Sequence, residues 1–178
     1  MGPPENLLPG IVGLELLLVH TDRQVIWIGE AEVYREGVAF SVLMCGREEA
    51  REGVESGPGT WRFGVQFSDG RKATAHGVGM FSRTGGGNVK FVGAGTAAGG
   101  ADPPDRPVLR ARGGGGSRFA WRQQYWLWPL PPPGDLLFAC EWPDLEIEFT
   151  TATVSADAIR DAAKRSRLMW PDLNRPGP

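Results

Sequence analysis

Apolar and polar residues alternate with a period of two along most of the chain. In Trp61-Arg62-Phe63-Gly64-Val65-Gln66-Phe67 every odd position is apolar and every even one is polar or small, the pattern of a half-buried strand. Ser68-Asp69-Gly70 follows, then Arg71-Lys72-Ala73-Thr74-Ala75. A three-residue loop with Gly70 in the left-handed region pairs Phe67 with Arg71, Val65 with Ala73 and Phe63 with Ala75. A two-residue Asp-Gly turn would set Lys72 and Thr74 beside Phe67 and Val65 and bury polar groups, so the longer loop is expected.

Upstream, the same pattern predicts a three-strand meander. Leu14 to His20 turns at Thr21-Asp22, and Gln24–Tyr34 and Val38–Cys45 flank Arg35-Glu36-Gly37. A two-residue turn at Glu36-Gly37 would set Val33 opposite Phe40 and Ala31 opposite Val42. Downstream, Arg118–Trp128 and Asp135–Trp142 are expected to form a hairpin across Pro129–Gly134, a loop too proline-rich to extend a ladder. Pairing Trp128 with Asp135 brings Leu127 to Leu136, Tyr125 to Phe138, Trp121 to Trp142 and Arg122 to Glu141, an apolar row and an opposite-charge pair from one register. Leu145–Phe149 reads as a further strand.

One helix is expected, over about 155–169. Ser155 is its N-cap, Asp157 lies in the first turn, and Ile159, Ala162, Ala163 and Ser166 form a narrow packing stripe. Residues 46–60 and 77–107 are Gly-rich and read as loops. The second is either a binding loop or an insertion with a short strand at Val89–Val92. Together these patterns predict an antiparallel β-sandwich of about eight or nine strands with one C-terminal helix, as a single domain over 1–178.

Composition is consistent with that picture. The chain has 178 residues with 26 Gly, 15 Pro, 7 Trp and 8 Phe, so turns are frequent and core-forming area is ample. A net charge of −2 provides no basic field to attract nucleic acid or a lipid surface. Cys45 and Cys140 match no metal-ligand spacing and read as two thiols in a reducing compartment. The start MGPPENLLPG lacks the basic and apolar regions of a signal peptide, and Leu14–Val19 is too short to span a bilayer. The expected address is the cytoplasm.

Candidate chemistry is sparse. His20 falls at a turn and His76 beside Arg62, with no nucleophile motif in the chain; no catalytic set, metal site or cofactor is implied. Gly93–Ala98 fits Gly-x-Gly-x-x-Ala but lacks the strand and helix that the glycines of a dinucleotide fold serve. Glu146 and Glu148 alternate on an outer strand face. Two surfaces remain. Trp126 and Trp128 point away from Tyr125 and Leu127 and, with Pro131 and Pro132, form a candidate contact surface for a protein partner or a second copy, unless the C-terminal helix covers them.

The other surface comes from charge segregation. Arg106, Arg110, Arg112, Arg118 and Arg122 occur with no acid between them, and Gln123–Ile159 carries acids but no Lys or Arg. Arg110, Arg112 and Arg118 around a flexible loop containing Gly114 and Gly115 could hold an anionic ligand such as phosphate, a nucleotide or RNA. Alternatively, the basic and acidic strands neutralise one another.

Val65–Arg71, Gly113–Gly116, Tyr125–Gly134 and Cys140-Glu141-Trp142-Pro143 together resemble a group of uncharacterised proteins from high-GC actinobacteria. The likeness covers roughly Trp61 to Trp170. It implies a source and a single domain, and brings no activity, ligand or catalytic residue with it. The leading functional expectation is a non-enzymatic protein-interaction module using Trp126, Trp128, Pro131 and Pro132. The alternatives are an anion-binding domain and, third, a hydrolase.

Overall fold

Alternating strands bury one face each by packing sheet against sheet, and the chain does so twice over. The computed structural model describes residues 2–47, 61–75, 106–117 and 119–170, together with the backbone of 80–83 and 89–92. The first principal sheet has five strands: β2 (Gly10–His20), β3 (Gln24–Val33), β4 (Val38–Gly46), β10 (Ala120–Trp128) and β9 (Val108–Gly116), in that spatial order. The second has four: β12 (Ile147–Ser155), β11 (Asp135–Trp142), β5 (Arg62–Gln66) and β6 (Lys72–Ala75). Every pairing in both is antiparallel. Two short ribbons join β1 (Leu7–Leu8) to β13 (Arg167–Leu168) and β7 (Met80–Arg83) to β8 (Val89–Val92).

The inward rows of the two sheets form one core. Phe40 and Tyr125 from the five-stranded sheet meet Phe63 and Phe138 from the other, with ring centroids 4.8–6.1 Å apart. Trp61 donates from its indole N–H to the Tyr125 hydroxyl at 3.0 Å inside this layer. β12 lies against β2 at one margin and β6 against β9 at the other, so the sheets approach along both sides.

The hairpin over Ser68-Asp69-Gly70 has the expected register. Val65 pairs with Ala73 and Phe63 with Ala75, Phe67 N–H donates to Arg71 O at 2.8 Å, and Gly70 has φ +84°. The meander also forms, with both turns displaced. Tyr34 N–H donates to Gly37 O, so the second turn is Arg35-Glu36; Val33 pairs with Val38 and Ala31 with Phe40. Gly37 belongs to the packing: a Cβ there would collide with the Leu127 carbonyl and lie 2.7 Å from Trp126 Cζ2. The first turn is Asp22-Arg23, closed by Thr21 N–H donating to Gln24 O.

The hairpin expected between 118–128 and 135–142 does not form. β10 pairs with β4 and β9, whereas β11 pairs with β12 and β5, so Pro129–Gly134 carries the chain from one sheet to the other. Six residues are ample for the ~10 Å between packed sheets. Tyr125 and Phe138 still share the interior because facing sheets, like paired strands, bring inward residues together. The charge pair changes partner: Glu141 takes Arg62, at 3.2 Å.

The helix α1 (Ala156–Ala163) is shorter than 155–169. Ser155 caps it through Asp157 N–H, and Ile159, Ala162, Ala163 and Ser166 are buried as expected, packed toward β2 and β3. The chain leaves the helix after Ala163 because Arg167 and Leu168 pair with Leu8 and Leu7. Leu145 lies in a 3-10 turn, Pro143–Leu145, so the next strand starts at Ile147. The ribbon of β7 and β8 shows that 77–107 contains a strand at Val89–Val92; residues 48–60 and the rest of 77–105 lie outside the described residues.

Candidate functional site

The five-stranded sheet has an outer face, turned away from the core, and that face carries a groove of about 640 Å³. Paired residues define its rows. One row runs Leu17, Trp27, Leu43, Arg122, Gly115 from β2 to β9. Another runs Ile11, Glu32, Ala39, Trp126, Arg110. Between them the ladder is interrupted three times, and the interruptions make the site.

On β2, Gly13 pairs with Glu30 and Leu16 with Ile28, so Leu14 and Glu15 oppose Gly29 alone. On β3, Gly29 and Glu30 oppose Ser41, because Ile28 pairs with Val42 and Ala31 with Phe40. On β9, Arg112 is the extra residue between Ala111, paired with Tyr125, and Gly113, paired with Gln124. A β-bulge leaves one residue out of the ladder and re-aims its side chain. Each of these three bulges includes a charged residue, Glu15, Glu30 or Arg112, and all three line the groove in one row with Ser41 and Gln124. Glu15 reaches its place with φ +48°, a left-handed conformation that costs a non-glycine residue about 1–3 kcal/mol.

Charge is sorted across the groove. Glu15, Glu30 and Glu32 stand on β2 and β3; Arg112 and Arg122 stand on β9 and β10; β4 between them offers Ala39, Ser41 and Leu43 as an uncharged floor. Strands spaced by ~4.8 Å put β3 about 10 Å from β10. Neither Arg112 nor Arg122 has an ion-pair partner among the described residues. Tyr34 closes one end. Its hydroxyl donates to Glu32 Oε2 at 3.4 Å, and its ring meets Trp126 edge-on at 5.8 Å. Burial, and then the neighbouring Glu32 carboxylate, push the Tyr34 phenol above its ordinary value, while Arg112 pulls it the other way. Both charges therefore act on this one hydroxyl.

The expected contact surface is altered by the same packing. Trp126 does stand on the outer face, but it is 1% exposed, covered by Tyr34 and closed upon by Gly37 rather than by the helix. Pro131 is also buried, and its carbonyl accepts from Arg160 of α1 at 3.0 Å. Trp128 and Pro132 are half-buried. Of the expected anion site, Arg112 is in the groove and is joined there by Arg122. Arg110 is exposed beside Trp126 and does not line the groove, and Arg118 lies outside the described residues. Gly114 and Gly115 form no flexible cradle: they pair with Gln123 and Arg122 as part of β9, which commits their backbone to a strand.

His20 is exposed at the end of β2, and among the described residues no histidine or cysteine lines the groove. His76 and Gly93–Ala98 lie outside the described residues. Glu146 adopts φ +57° at the end of the 3-10 turn, and Glu148 is exposed. Among the described residues, no three His, Cys, Asp or Glu side chains converge as metal ligands. Glu15, Glu30 and Glu32 were not among the expected site residues, yet β3 carries a signal. In Ile26, Ile28, Ala31 and Val33 the apolar series slips by one residue, which a bulge at Gly29-Glu30 explains. Compared with known proteins, the chain matches no family model, no curated protein and no solved structure.

Proposed function

We propose that the protein is a binding domain and that its ligand sits in the outer groove, with an anionic group held by Arg112 and Arg122. The observation that carries this reading is two arginines from neighbouring strands converging on one groove without ion-pair partners among the described residues. A guanidinium presents a fixed fork of donors suited to carboxylate or phosphate. Three glutamates opposite disfavour a polyanion such as RNA and favour a ligand with one compact anionic group. The reading includes a cytoplasmic address, supported by two unpaired cysteines. No helix among the described residues is long and apolar enough to cross a membrane.

The test is titration of the full chain with inorganic phosphate and with AMP at low salt, followed by amide chemical shifts. Shifts confined to β9 and β10 that weaken in Arg112→Gln and in Arg122→Gln support the reading. Undiminished shifts in both variants would remove it.

A protein-interaction role is the second reading, and one observation favours it. The proline loop is held as a rigid ledge by three bonds: Leu130 N–H to Glu36 O at 2.9 Å, Ser68 Oγ to Pro133 O at 2.6 Å, and Arg160 to Pro131 O. A preorganised ledge loses little entropy on docking. Trp128 at the end of β10 and Pro129, Leu130 and Pro132 of the loop are half-buried. Light scattering of the protein and its Trp128→Ala variant tests self-association; a monomer in both cases would dismiss it.

A further inference from the structure

The anion reading uses only one side of the groove, and the other side has an opposite character. Glu15 and Glu30 belong to the bulges on β2 and β3 and both line the groove, Glu15 between the inward Leu14 and Leu16 and Glu30 beside Gly29. Glu32 adds a third carboxylate on the same side and is tied to Tyr34. Facing them are Arg112, itself a bulge residue, and Arg122. The floor between the two sides is uncharged and small, so none of the described residues neutralises either side from below.

From this arrangement we infer that the ligand is a small zwitterion, lying across the strands with its anionic group at Arg112 and Arg122 and its cationic group at Glu30 and Glu32. The inference rests on the anion reading and extends it to the second half of the ligand. A purely anionic ligand would leave the glutamates repelling it, and a purely cationic one would meet the arginines. A molecule bearing both charges satisfies each side, and the strand spacing sets their separation. β3 lies two strand intervals from β10 and three from β9, about 10 and 14 Å, and Arg and Glu side chains reaching inward shorten the gap the ligand must span. An extended chain with an ammonium at one end and a carboxylate at the other suits that strand spacing better than one with both charges on the same carbon. Trp27, half-buried at the edge of the groove beside Leu43, supplies an apolar surface for the methylenes between.

The experiment compares two ligand series on the full-length protein by calorimetry at low salt: straight-chain alkanoates, and ω-amino acids of the same lengths from glycine to 8-aminooctanoate. The expected result is an affinity that rises with length in the amino acid series, reaching about tenfold over the matching alkanoate for 6-aminohexanoate or longer, the worth of one charge-assisted contact. In a Glu30→Gln/Glu32→Gln variant that preference should fall below about threefold, because the two partners of the ammonium are gone. Both substitutions are on exposed side chains and keep their shape, and circular dichroism checks that the sheets persist. Equal affinity for the two series would overturn the zwitterion and leave the anion reading standing. Failure of both series to bind would remove both. A preference for the amino acids that survives in the double variant would also overturn the assignment of the ammonium to Glu30 and Glu32.

Discussion

Trp126 is an outward-facing residue that behaves as core. Its neighbours in the row are Ala39 and Arg110, and Tyr34 lies edge-on against the ring. Its indole N–H has no hydrogen-bond partner among the described residues, so its contribution there is packing. A side chain of that volume, 1% exposed, leaves a large cavity when truncated. Trp126→Ala is therefore expected to lower unfolding free energy by about 3–5 kcal/mol, read from urea denaturation. Trp128→Ala, at a half-buried position, should cost clearly less. A Trp126→Ala protein as stable as the parent would mean that the residue is open to solvent and available to a partner. Because Tyr34 covers Trp126 and also bonds to Glu32, the same truncation should disturb the end of the groove.

At the level of elements, agreement between sequence and structure follows the range of the interaction. Ser155 as N-cap, the stripe of Ile159, Ala162, Ala163 and Ser166, and the three-residue loop at Gly70 are set by neighbours a few residues away, and all were legible. The end of α1 was not, because it is decided by β1, more than 150 residues earlier, pairing with Arg167 and Leu168. The β10–β11 connection failed for a related reason. Alternation states which residues face inward but not whether the partner strand lies beside or across, and Tyr125 meets the other sheet's aromatic layer in either case. In the site, Arg112 and Arg122 were visible as part of a basic segment, whereas the alignment of Glu15 and Glu30 in one row with Arg112 depends on where the ladder is interrupted. The capped helix offers a direct measurement. Ser155 Oγ accepts from Asp157 N–H at 3.2 Å, and Ser155→Ala should destabilise the protein by about 1 kcal/mol in thermal or urea unfolding. Ser155→Asp should retain most of that stability, because aspartate offers the same acceptor and suits the helix N-terminus. A Ser155→Ala protein as stable as the parent would show that the cap contributes nothing.

For the whole molecule, closing two sheets on one core places titratable groups where water cannot reach them, and this fixes how stability depends on pH. Cys140 lies fully buried on β11, and burial pushes its thiol from an ordinary value of 9.0 up to about 12. Tyr125, also fully buried, has its phenol raised from 10.0, chiefly by burial; the hydrogen bond it accepts from Trp61 opposes the rise. In both cases the unfolded chain loses its proton first, while the folded chain retains it. The folded state then binds more protons, so stability is undiminished below pH 9 and declines as pH climbs from there toward the folded values. Each group contributes a slope of at most about 1.4 kcal/mol per pH unit, Cys140 from about pH 9 and Tyr125 from about pH 10. Urea midpoints measured between pH 7 and 11 should therefore be flat at first and then fall in two stages. Cys140→Ala should flatten the first stage, and Tyr125→Phe the second, even though each variant starts from a lower plateau through lost packing or the lost Trp61 bond. Removing both groups and finding the alkaline decline unchanged would place its origin outside the shared core.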